Sequence, residues 1–244
     1  MLSFVAITPH PPIIIPEVGG KDTKKCSKTI KAMEKLADEL AEVEPDTIII
    51  VSPHALAHSD RFAIYGNNKF EGSLKQFGAP EVDFRFNNDR PLVNEIIKRS
   101  EDQGVKSFLF GDPDNDFFEL DHGEMVPLYF FKQKISSNTK IVVIAYSYLD
   151  RLQHLALGQI IRDIAKSPEF INDKIALIAS GDLSHRLIGS VPAGFSKAGA
   201  EFDETIVDYL QNKHIREILE MDEGFVESAG ECGYRSILIL LGAL

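Results

Sequence analysis

The sequence predicts an α/β protein, with a mixed or parallel central sheet sandwiched between helices in a single three-layer domain. Three observations carry this expectation. Residues 48–51 (Ile-Ile-Ile-Val) are β-branched and uninterrupted by polar groups, the pattern of a strand buried on both faces. Similar apolar runs at 4–8, 140–145 and 175–179 are separated by segments with helical apolar spacing, and such alternation favours a sheet between helix layers. A chain of 244 residues, with no internal repeat or linker, suffices for one sizeable core, so residues 1–244 read as one domain.

Residues 1–8 read as the first strand. Pro9-His10-Pro11-Pro12 breaks it, and 13–16 are too proline-bound for a helix. Residues 24–43 carry Ile30, Met33, Leu36, Ala37, Leu40 and Val43 at helical spacing; Pro45-Asp46 then hands over to the 48–51 strand, completing a βαβ unit. A strand is expected at 62–66, a glycine-rich loop at 72–80 and a half-exposed strand at 82–86. An amphipathic helix at 92–100 is closed by Gly104. Residues 112–116 (DPDND) have turn chemistry, so Asp121-His122 is expected after an irregular segment, with Pro127 in the first turn of a helix. A strand at 140–145, a helix at 153–166 and a strand at 175–179 follow. After a loop at 181–192, helices are expected at 201–211 and 215–219. Gly230-Glu231-Cys232-Gly233 precedes a last helix at 236–244.

The formal net charge of −11 argues against nucleic-acid or anionic-membrane partners. The lysines of 21–35 give no basic stripe, being interleaved with Asp22 and Glu34. Cys26 and Cys232 lack C-x-x-C spacing and suggest a reducing compartment. Without a charged leader or an apolar run near about 18 residues, a cytoplasmic protein is expected.

Of seven histidines, four lie at element ends beside Pro, Gly or Ser: His10, His54, His122 and His185. Position just past the carboxyl end of a buried strand is where open α/β sheets place ligands. His10, His54 and a carboxylate could form a two-histidine, one-carboxylate site, which suits non-haem Fe(II). Against this, any single one could be a loop imidazole bonded to a backbone carbonyl. His58 is a spare ligand or a solvated ring; His154 and His214 fall in helical stretches and are expected at the surface. Asp182 and His185 read either as an acid–base pair or as Asp and Ser184 capping a helix. No G-x-S-x-G elbow supports Ser184 as a nucleophile. Glu231-Cys232 offers an oxygen or a sulfur ligand, or a glutamate complementing a helix amino terminus.

The segments FVAITPHPPIIIPEVG, DTIIIVSPHALAHSD, QFGAPEV, LDHGEMVPLYF, IASGDLSHRL and AGECGYRSI, in this order along nearly the whole chain, resemble the class III extradiol ring-cleavage dioxygenases of the catalytic B-subunit type. The likeness extends to the Memo-like B-subunit proteins of the AmmeMemoRadiSam gene set. It implies a non-haem metal held by His10, His54 and Glu231, with His185 as the acid–base residue beside it and His122 as another pocket histidine. Fe(II) is the implied metal, with Zn, Cu or Mn as alternatives. A small catechol-like aromatic is the implied substrate. The Memo-like relatives imply an alternative, an accessory protein of a radical-SAM-associated system without ring cleavage. They also place a cysteine at the metal, which keeps Cys232 open as third ligand. Fused relatives imply a partner protein supplying their second domain, and a homo-oligomer is a further expectation.

Overall fold

The computed structural model describes residues 2–112, 117–190 and 192–244. Strand β1 (Leu2–Thr8) leads through a 3-10 turn (Pro12–Ile14) into a short helix, α1 (Pro16–Gly19). Residues 13–16 are thus partly helical, contrary to expectation: Pro16 takes the first position of α1, where its missing N–H costs nothing. A 3-10 segment (Gly20–Cys26) runs into α2 (Ser27–Val43), and β2 (Thr47–Ser52) follows with every residue buried.

Next come β3 (Phe62–Tyr65), β4 (Lys69–Leu74), β5 (Ala79–Asn87), α3 (Arg90–Asp102), β6 (Ser107–Phe110) and β7 (Phe117–Leu120). Here the expected glycine-rich loop is corrected. Gly72 lies inside β4, where a Cβ would collide with Met125 Sδ, and only a 3-10 turn (Lys75–Phe77) separates the two antiparallel strands. The segment before Asp121 is likewise not irregular near its end but forms β7, paired with β4. The turn expected over 112–116 falls at 113–116 outside the described residues.

The chain continues with α4 (His122–Lys132), β8 (Lys140–Ala145), α5 (Arg151–Ala165), β9 (Ile175–Ser180), α6 (Lys197–Gln211), α7 (Ile215–Leu219), α8 (Glu223–Ala229) and α9 (Tyr234–Ala243). Pro127 sits in the middle of α4, not in its first turn, because a capping box of Asp121 and Glu124 starts the helix at His122.

The main sheet has the order β1-β9-β2-β8-β3-β6. Neighbours among β1, β9, β2 and β8 run parallel, β3 runs antiparallel to β8, and β6 is parallel to β3. This is the mixed central sheet expected. A smaller sheet, β5-β4-β7, packs beside it. Alternation along the strands divides the core. Ile48 and Ile50 face α2, α4 and the small sheet through Met33, Leu40, Val126 and Phe131. Ile49 and Val51 face α3, α5 and α9 through Ile96, Ile161 and Ile239. A third cluster joins α6, α7, α8 and α9 around Phe202, Ile218 and Leu238. Among the described residues, no helix is long and apolar enough to cross a membrane.

The expected surface position of His154 is also corrected. His154 is buried, 1% exposed, and its ring nitrogens face the carbonyls of Asp150 at 2.9 Å and Ser147 at 3.0 Å. The helical spacing was right, but the ring is on the inward face of α5, where it ties the β8–α5 turn to the helix. We expect His154→Ala to leave a cavity and unpaired carbonyls and to destabilise by about 2–4 kcal/mol. Chemical denaturation checks this, with metal binding unchanged. His214 is exposed, as expected.

Candidate metal centre

Strand register explains how residues far apart in sequence meet. Thr8 pairs with Ser180 across β1 and β9, and Val51 pairs with Ala179 across β2 and β9, so Ser52 falls in the same row. Two residues beyond that row on the three strands stand His10, Asp182 and His54. Each chain breaks there, at Pro9, Gly181 and Pro53, at the carboxyl edge of a parallel sheet. The small sheet delivers the fourth group: β7 ends at Leu120, and Asp121 directly after it caps α4 and puts His122 at its first position. His10, His54 and His122 each offer a ring nitrogen, and these atoms all lie within 4.8 Å of one another. The His54 and His122 ring centroids are 3.8 Å apart, and those of His10 and His54 4.8 Å.

Close packing holds the turns together. A Cβ on Gly123 would approach Ser52 Oγ to 2.5 Å and His54 Cβ to 2.9 Å. We expect Gly123→Ala to push the start of α4 away from the 52–54 turn. Its unfolding midpoint should drop by the equivalent of about 1–3 kcal/mol, with weaker metal binding measured alongside. Gly181 meets Gly233 as closely, so the loop carrying Cys232 lies directly against the Asp182 turn.

Hydrogen bonds set the aim of the rings. Ser180 Oγ donates its one proton to the Gly123 carbonyl at 2.6 Å, so its 3.0 Å contact with His10 Nδ1 makes the ring the donor. His10 Nε2 is therefore the lone-pair nitrogen. His122 Nδ1 lies 2.9 Å from Asp121 Oδ1, an acceptor, and His54 Nδ1 faces Asp121 Oδ2 at 3.7 Å. With Nδ1 of His10 and His122 hydrogen-bonded and that of His54 within ion-pair range of Asp121, the remaining nitrogen of each ring is left as a ligand, the arrangement found around protein-bound metals.

Beside the three rings lies a second group. Asp182 Oδ1 accepts the His10 backbone N–H at 3.0 Å, and its Oδ2 lies 3.7 Å from His185 Nε2 and 3.8 Å from His10 Nε2. Among the described residues after Asp182 no helix begins before Lys197, so the capping reading of Asp182 and Ser184 is set aside; Ser184 Oγ donates to the Ala229 carbonyl. Cys232 Sγ stands 3.6 Å from His10 Nε2 and 3.7 Å from His185 Nε2. Glu231 is directed elsewhere: its Oε2 accepts the Tyr234 N–H at 2.5 Å at the start of α9, and it lines a cavity of about 470 Å³ with Tyr148, Arg235 and His154. His58 stays out of the cluster, its ring edge-on to Phe108 at 4.8 Å. Sequence reasoning assigned no role to Asp121, although Asp121-x-x-Glu124 is a helix-start signature that could have revealed it. It also passed over Phe77, whose ring stands 5.3 Å from that of His122.

The electrostatics suit a cation. Burial holds His10 down to about 4, against the opposing pull of Asp182. Burial and then His122 lower His54. Both rings are thus neutral near pH 7, as ligands must be. His185 is pushed the other way, up to about 10, by Asp182 and then Cys232. Burial opposes ionisation of Asp182, but His185 and His10 outweigh it and keep the carboxyl below its usual range.

These shifts fix opposite pH dependences for the metal-free protein. The unfolded chain protonates His10 below about 6.5 while the native state resists until about 4, so stability falls across that window, by roughly 3 kcal/mol at most. His185 contributes stability below about 6.5 that is lost as pH rises through about 10. Denaturant midpoints from pH 4 to 10 should therefore fall on both sides of neutrality. His10→Gln should flatten the acid arm and His185→Gln the alkaline one.

Three imidazoles converge at the strand ends of a mixed α/β sheet, with a carboxylate–histidine pair alongside, an arrangement that can hold a metal ion. The chain belongs to the family described as the catalytic LigB subunit of aromatic ring-opening dioxygenase, whose profile matches residues 4–244. It is 36% identical over 245 residues to Protein CA_C1420 of Clostridium acetobutylicum, a match covering 98% of this chain and 51% of that protein. The chain thus spans about half the length of that relative. It is 24% identical over 250 residues to a 3,4-dihydroxyphenylacetate 2,3-dioxygenase of Escherichia coli, covering 98% of this chain and 88% of that one. The crystal structure of uncharacterized protein JW3007 from Escherichia coli K12 has the same fold, with a TM-score of 0.59 at 17% identity over 86% of this chain and 81% of that one.

Proposed function

We propose that the protein is a non-haem metal-dependent extradiol dioxygenase that opens the ring of a small catechol-like aromatic. The observation carrying this is the trio of imidazoles whose Nδ1 positions are turned to Ser180 and Asp121, which leaves one nitrogen of each for a shared ion. His10 and His54 are the ligands in every version of the site, and the ring nitrogen of His122, within 4.8 Å of theirs, supports it as a third donor. The set His10, His54 and Glu231, implied by the resemblance, requires Glu231 to give up its bond from Tyr234 N. Ferrous iron is the metal we expect, and when bound it supplies Lewis-acid binding of both catechol oxygens and activation of O2.

The chain's own groups manage the protons. His185, 45% exposed at its side chain, faces the site while Asp182 holds its charge, so it is placed to give its proton to oxygen and, once neutral, to take one back from a catechol hydroxyl. Where Glu231 or Cys232 supplies the third donor, His122, with the Phe77 ring beside it, is free to position the aromatic ring. The likeness to the Escherichia coli 3,4-dihydroxyphenylacetate 2,3-dioxygenase supports an acidic catechol as one substrate to try. The test is anaerobic purification and Fe(II) reconstitution followed by metal analysis. One ion per chain is expected; a chain that retains none overturns the reading.

A further inference from the structure

We propose that Asp121 is a shared positioning residue, one carboxylate that sets the tautomer and the aim of both His54 and His122. The inference rests on the metal-centre reading and goes beyond it, since neither the resemblance nor the relatives assign Asp121 a role. Its two oxygens divide the work. Oδ1 accepts the His122 backbone N–H at 2.7 Å, the His122 Nδ1–H at 2.9 Å and the Gln76 amide at 3.2 Å. That leaves Oδ2 turned to His54 Nδ1, 3.7 Å away. Asp121 itself is held from two directions, at its backbone and at its carboxylate. Glu124 Oε2 accepts the Asp121 backbone N–H at 2.9 Å in the capping box, and Gln76 reaches across from the β4–β5 turn. Asp121 thus links two rings that arrive on different sheets, one past β2 and one past β7.

An ionised carboxylate only accepts hydrogen bonds, so the His122 Nδ1 bonded to it carries the proton and Nε2 keeps its lone pair; the negative charge 3.7 Å from His54 Nδ1 favours the same tautomer in that ring. An outer carboxylate of this kind raises the basicity of the ligand and fixes its rotation, and its loss typically weakens metal binding by about 10–100-fold.

The difficulty in testing this is that Asp121 also caps α4. Asn caps a helix as well as Asp does. Asp121→Asn therefore keeps the cap and the acceptor for His122 N, but removes the charge and can present an amide N–H to His54 Nδ1. Asp121→Ala removes both functions and serves as the control for stability. The probe is Zn(II), titrated into the metal-free full chain by competition with a chelating indicator. Asp121→Asn should keep the wild-type unfolding midpoint and bind Zn(II) about 10–100-fold more weakly. Equal affinity in wild type and Asp121→Asn would overturn the inference.

A second measurement needs no metal. Long-range 1H–15N spectra of the metal-free wild type should show the His122 proton on Nδ1, and this preference should weaken in Asp121→Asn. A wild-type proton on Nε2, or identical spectra in the two proteins, also overturns the inference. If the wild type takes up no Zn(II), the metal-centre reading fails, and the spectra alone decide on Asp121.

Discussion

Replacing His54 by Ala is expected to take the reconstituted protein from one ion per chain to none that survives gel filtration, and His10→Ala to do the same. Each ring supplies a neutral nitrogen at the carboxyl edge of the sheet, held low in basicity by burial, and nothing else on β1 or β2 can take its place. His154→Ala must retain the ion, because both its nitrogens are turned to backbone carbonyls of the turn before α5. The third donor is separable by the same assay. If the described geometry is the liganded one, His122→Ala loses metal and Glu231→Gln keeps it. The reverse pattern assigns the third position to Glu231, after release of Tyr234 N. Loss in Cys232→Ser alone assigns it to the sulfur, which already lies 3.6 Å from His10 Nε2. Full occupancy in His54→Ala defeats all three versions.

The second large effect is expected at His185. Positioned proton transfer contributes about 10²–10⁴-fold to rate, so His185→Ala should slow turnover by roughly that factor while keeping its iron and its catechol affinity. Asp182→Asn should act in the same direction, since it removes the charge that favours the His185 imidazolium. The readout is the split between kcat and metal content. Wild-type turnover in His185→Ala contradicts the role, and loss of metal shows that His185 was holding the ion.

Much of this site was legible because its parts obey strand grammar. An apolar run ending in Pro-His or Gly-Asp announces both a buried strand and a polar group at its carboxyl end, and parallel pairing of β1, β9 and β2 brings those ends into one row. What was missed lies off that grammar. The strands β4 and β7 are short, with glycine or glutamate at interior positions, and their hydrophobic faces become visible only against α4 and the main sheet. His154 looked solvated because helical spacing tells which residues share a face, not which face is covered; α5 is packed against both the sheet and α9. Asp121 read as an ordinary neighbour of His122. Its reach to His54 depends on a tertiary approach between sheets that no spacing along the chain encodes.

The account is tested most directly by oxygen consumption. Iron-loaded wild type, prepared anaerobically with one ion per chain, is mixed with a panel of catechols in an oxygen electrode, with and without acidic side chains. The account predicts uptake of one O2 per catechol consumed, with both oxygen atoms recovered in a ring-opened product. No uptake across the panel, by protein that demonstrably holds its iron, would contradict it.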